Sequence, residues 1–108
     1  MGSNETPIHS AYADDPAQAE AIDAFVVALA ERVDELQDLE ARGDLARLAE
    51  RAAALGSGAA ELGYPPLARG AEDVAQASHQ RHAELVYKAL IELTVIAQRV
   101  RRGHRGSL

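Results

Sequence analysis

Apolar residues return at steps of three and four through four successive stretches of this 108-residue chain, and no other feature limits its fold as strongly. The first stretch is Ile22, Phe25, Val26, Leu29, Val33 and Leu36; the second is Leu45, Leu48, Ala52, Leu55, Ala59 and Leu62. A third, shorter one carries Leu67 and Val74, and the fourth carries Val86, Leu90, Leu93, Ala97 and Val100. A period near 3.6 puts each set on one side of an α-helix, and each such stripe must find a neighbour to cover it. The filling is aliphatic: hydrophobic residues make up 47% of the chain, yet aromatics only 4%, and tryptophan is absent. Ala, Leu, Val and Ile pack well between helices. No segment alternates with the period of a strand, so the expected fold is all-α, an antiparallel up-down four-helix bundle.

Punctuation residues set the expected boundaries. Residues 1–14 lack periodicity and read as a flexible or extended lead-in, with a turn near Tyr12. Asp15-Pro16-Ala17-Gln18 then reads as a helix start, with Asp15 as cap, Pro16 in the first helical position and Gln18 reaching back. This helix should run to about Ala41 and stop at Gly43. Asp44 should cap the second helix and Gly63 end it. Tyr64-Pro65-Pro66 turns the chain into a third helix over about 66–77, and a link at Ser78-His79 leads to a fourth over about 80–102, closed by Gly103. The bundle therefore spans 15–103, and 104–108 reads as a flexible tail.

Charge and composition exclude several function classes. The net charge of −6 argues against a nucleic-acid binder, whose contact surface is basic. The arginines at 99, 101, 102 and 105 read as the complement of a helix C-terminus instead. With no cysteine there is no disulfide, thiol chemistry or zinc knuckle. No apolar run reaches the ~18 residues that span a bilayer, and residues 1–15 do not resemble a signal peptide, so the expected setting is cytoplasmic, without a membrane partner. Met1-Gly2-Ser3-Asn4-Glu5-Thr6 fits the N-myristoylation pattern formally, a short and common string of little weight. His79 and His82, three apart, could share a helical face, but no third ligand of obvious register accompanies them. Neither a metal nor another cofactor is expected. No nucleophile–base pair or phosphate-cradling loop suggests an enzyme.

The stretch from Gly43-Asp44-Leu45-Ala46-Arg47-Leu48-Ala49-Glu50-Arg51-Ala52-Ala53-Ala54-Leu55-Gly56-Ser57 to Leu62-Gly63-Tyr64-Pro65 resembles the core of a histidine phosphotransfer (HPt) domain. In that family a Gly-Asp loop leads into a helix bearing alanine, the phospho-accepting histidine, any residue, leucine, lysine and glycine. A second glycine then closes the helix before an aromatic residue. Ser10-Ala11-Tyr12-Ala13-Asp14-Asp15-Pro16, Phe25-Val26 and Gln98-Arg99-Val100-Arg101 are also similar to HPt segments, so the resemblance covers about residues 10–102. Counted without gaps from Asp44 or back from Gly63, the family's histidine position falls on Ala53. Leu55 keeps the leucine, while Gly56 and Ser57 stand for the lysine and glycine, and Arg51 replaces an apolar residue. A register shifted by three would put Glu50 there instead. In either register no histidine lies between residues 10 and 78.

The resemblance implies a degenerate HPt-like domain of two-component signalling. Its partner would be a response-regulator receiver domain or a histidine kinase, bound without acceptance of phosphate. The implied docking face is Ala46, Ala49, Glu50, Ala53, Gly56, Ser57 and Ala60, together on a helical wheel opposite the leucine seam. Gly56 and Gly58 each cost roughly 1 kcal/mol in a helix interior, which points to close approach by a partner or to drift once the chemistry was lost. Two other readings stand beside this one: a helical scaffold or dimerisation module outside phosphorelay, and an authentic phosphotransfer protein with a displaced site such as His82. Leu85, Tyr87, Ile91, Val95 and Ile96 add apolar bulk on the fourth helix, through either a wide core contact or a homodimer.

Overall fold

The structure, a computed structural model, describes residues 6–106, with side chains to His104. Its helices are α1 (Ala19–Arg42), α2 (Leu45–Glu61), α3 (Pro65–His79) and α4 (Ala83–Gly106), with no strand among the described residues. Neighbours in the bundle are α1 and α2, α2 and α3, α3 and α4, and α4 and α1. The diagonal pairs come no closer than 8 Å between Cα atoms and share only the core between them. Gln37 donates to Thr94 Oγ1 at 3.1 Å, and Asp23 meets His104 at 2.9 Å, so α1 and α4 run antiparallel over their length.

The stripes behave as the periodicity requires. Ile22, Phe25, Val26, Leu29, Val33 and Leu36 are buried, joined by Leu39. Leu48, Ala52, Leu55 and Ala59 form the centre of the α2 seam, whereas Leu45 and Leu62 at its ends are half-buried. Leu67, Val74, Val86, Leu90, Leu93, Ala97 and Val100 complete the core. Each fully buried aliphatic side chain contributes on the order of 2 kcal/mol, so the four stripes carry the fold. Between α2 and α3 a glycine lets the backbones approach: a Cβ at Gly56 would stand 3.4 Å from Ala68 O.

Helix ends follow local chemistry in three of the expected places. Gly43 adopts φ +73° and returns its N–H to Glu40, while the Asp44 carboxylate accepts from Arg47 N–H at 3.2 Å. Gly63 adopts φ +83°, a conformation that favours glycine, and there a Cβ would stand 2.9 Å from Ala11 N and Ser10 Oγ. Pro65 and Pro66 occupy the first two positions of α3, where a missing N–H costs nothing.

Elsewhere the boundaries move. Asp15 does accept from Ala17 N–H at 3.0 Å, but Gln18 and Ala19 donate to Asp15 and Pro16 three residues back. The chain makes turns there, and α1 starts at Ala19. α3 runs to His79, absorbing the expected link, and α4 starts at Ala83 after a turn in which Arg81 takes φ 55°. Gly103 is not a stop. It is buried within α4, which continues to Gly106, and the backbone of Ile8 occupies the space a Cβ at position 103 would need. The tail expected from 104 is thus helical through Gly106.

The lead-in lies across one end of the bundle. Ile8 N–H donates to Arg99 C=O at 3.0 Å, Arg99 Nε donates to Thr6 C=O at 2.9 Å, and Ala11 N–H donates to Gly63 C=O at 2.8 Å. Ser10 is buried; its hydroxyl donates to Leu62 C=O and accepts from Tyr12 N–H, and a turn follows over 11–14. The myristoylation pattern at Met1–Thr6, the first five residues of the lead-in and residues 107–108 of the tail lie outside the described residues, Thr6 excepted.

Candidate functional site

The α2 face splits in two. Ala46, Glu50, Ala53, Ser57 and Ala60 are exposed, on the side of the helix turned away from Leu48, Ala52, Leu55 and Ala59. Ala49 and Gly56 are buried and belong to the contact with α3. A Cβ at Gly56 would stand 3.4 Å from both Ala68 O and Ala71 Cβ, and one at Gly58 would stand 3.3 Å from the Phe25 ring. The close approach that these glycines signal is therefore made by the chain's own α3 and α1. It is not evidence for an external partner.

What is left is a narrow exposed strip of small side chains with one carboxylate. Both positions that could correspond to a phospho-accepting histidine, Ala53 and Glu50, point to solvent. Neither offers a nitrogen lone pair. Arg51 is also exposed and lies 3.7 Å from Glu35 of α1, which accounts for a charged residue where an apolar one was expected.

His79 was assigned to a link by periodicity, yet it ends α3 and lines the same shallow depression as Ala46, Glu50 and Ala53. Because α2 and α3 are antiparallel, the last residue of one meets the first turn of the other. Asp44 and Arg47 complete the rim. His82 is separated from His79 by the Arg81 turn, and its Nδ1 accepts from Leu85 N–H at 3.3 Å. The two rings do not share a helical face, and no group of three potential metal ligands occurs among the described residues.

The chain matches no protein-family model, no curated protein and no solved structure. Its chemistry must be read from its own residues.

A second concavity escaped sequence reasoning. His9, Ser10 and Asp14 of the lead-in face Ile22, Tyr64 and His104 across a cleft at the end of the bundle. Tyr64 is buried and stacks on Phe25 with ring centroids 6.0 Å apart, and burial pushes its phenol above the ordinary value. His104 Nε2 lies 2.9 Å from Asp23 Oδ1. His9 and His104 fall in the two segments read from the sequence as loose ends, 1–14 and 104–108, and no periodicity or cap there indicates that they line one cleft. No helix among the described residues is long and apolar enough to cross a membrane.

Proposed function

We propose that this chain is a phosphate-silent HPt-like domain that acts by binding. Its partner is a response-regulator receiver or a histidine kinase of a cytoplasmic two-component system, docked on the exposed strip of α2. One observation carries the reading: a solvent-facing helix, bounded by the Gly43-Asp44 cap and the Gly63-Tyr64-Pro65 exit of the resemblance, presents a methyl group at Ala53.

Phosphoryl transfer from a receiver aspartate needs an imidazole nitrogen in line with the leaving carboxylate oxygen, while the receiver supplies most of the electrostatics. A methyl group has no lone pair, and Gly56 is buried and carries no ammonium to steady phosphate charge. Small side chains at 46, 53, 57 and 60 permit a partner helix to lie close without displacing anything. Occupying a receiver in this way competes with productive phosphotransfer partners.

Binding of the full chain to a panel of receivers and kinase dimerisation domains tests this. At least one member should bind, and Ala53→Arg should weaken it about tenfold or more by standing a long charged side chain in the interface. In parallel, incubation with a phosphorylated receiver should leave no acid-labile label on the chain. Label on any histidine, including His79 in the same depression, overturns the proposal, as does a panel with no binder or a binder indifferent to Ala53→Arg.

A further inference from the structure

The fourth helix carries two stripes. Val86, Leu90, Leu93, Ala97 and Val100 face the core and are buried. Opposite them, at steps of four and three, stand Glu84, Lys88, Ile91, Val95, Gln98 and Arg102. Part of the extra apolar bulk on this helix is internal: Ile96 is half-buried, with its Cδ1 3.3 Å from where a Gly70 Cβ would be. The rest is not. Ile91 is 47% exposed, the flanking Tyr87 is 58% exposed, and Val95 keeps part of its surface open.

The outward stripe is complementary to itself when turned end for end. About the level of Leu93, Glu84 falls opposite Arg102, Lys88 opposite Gln98, and Ile91 opposite Val95. Along the middle of the stripe acid thus meets base and apolar meets apolar, and every contact occurs twice, as a two-fold interface requires. In parallel alignment each residue would instead meet its own like, acid on acid and base on base. The outward side of α1 offers no such match, because Glu20, Glu31, Asp34 and Asp38 make it acidic along its length.

We propose that two copies of this chain form a homodimer through antiparallel pairing of their α4 helices, centred on Ile91 and Val95. The stripe from 84 to 102 is about 27 Å long. One helix pair of that length buries less than the ~800 Å² per partner of a standard interface. The dimer is therefore weak, reversible and concentration-dependent. It does not depend on what covers α2.

Sedimentation equilibrium of the full chain from about 10 µM to about 1 mM reads it directly. The mass should climb from the 11.5 kDa of one chain toward twice that value. Ile91→Asp should hold the mass at one chain throughout while helical content by circular dichroism is unchanged, since Ile91 is exposed and outside the buried core cluster. Glu84→Arg and Arg102→Glu should each weaken association about five- to tenfold, and the double swap should recover it to within about twofold. A single-chain mass over the whole range overturns the proposal. So does a dimer that survives Ile91→Asp, or a double swap that stays as weak as the single ones.

Discussion

Tyr64 follows the left-handed Gly63, stacks on Phe25 and lines the cleft beneath the lead-in, so one side chain joins α1, the α2–α3 turn and the lead-in. Its burial disfavours the phenolate and raises the folded-state value above the ordinary 10.0. A raised value means that the neutral ring's contribution is complete below the unfolded-state pKa and is lost as pH rises through the folded one. The urea midpoint should accordingly be flat from pH 7 to about 9 and fall beyond about pH 10. Tyr64→Phe should remove most of that fall, whereas Tyr87→Phe, on an exposed ring, should leave it unchanged. Equal alkaline sensitivity of the two variants would show that Tyr64 is not the group responsible. At this scale the sequence was legible wherever a residue acts on its own neighbours: Gly43, Asp44 and Gly63 do what local rules assign them. It was opaque at Gly103, whose missing side chain answers to Ile8, ninety-five positions away in sequence.

The same division holds between elements. Four stripes in the sequence gave four helices, because a period of three and four is a property of each helix by itself. Which side of α2 faces solvent and which faces α3 was only half legible. The wheel grouped Ala49 and Gly56 with Ala53, but α3 sits close enough to claim the flank that they occupy. Substitutions at two positions three residues apart should therefore behave differently. Gly56→Leu drives a side chain into Ala68 and Ala71 and should cost about 2 kcal/mol or more in urea unfolding. Gly56→Ala, whose Cβ would sit at 3.4 Å, should stay within about 1 kcal/mol. Ala53→Arg, on the exposed side, should stay within about 0.5 kcal/mol, so that its effect on binding is read without loss of fold. Equal destabilisation by Gly56→Leu and Ala53→Arg would mean that α2 has no solvent face, and the docking reading would go with it.

At the scale of the molecule, the two proposed contact surfaces lie on diagonal helices. α2 packs beside α1 and α3, α4 packs beside the same two, and no Cα of α2 comes within 8 Å of one in α4. A partner seated on the exposed strip of α2 is thus separated from the outward stripe of α4 by the full thickness of the bundle, and neither surface has to move for the other to be filled. Coupling between sites needs an element with two arrangements that both ligands bias, and the two surfaces share neither a residue nor a helix. The two equilibria should therefore be independent, giving a dimer that carries one partner on each outer side. Titrating a bound receiver should yield one receiver per chain both below and above the concentration at which the chain dimerises, with the same Kd within about twofold. Ile91→Asp should leave that Kd alone, and Ala53→Arg should leave the dimerisation constant alone. A receiver affinity that rises or falls with the dimer fraction would mean that the surfaces communicate. The route would then run through the shared core or through α1 and α3, the helices that border both α2 and α4.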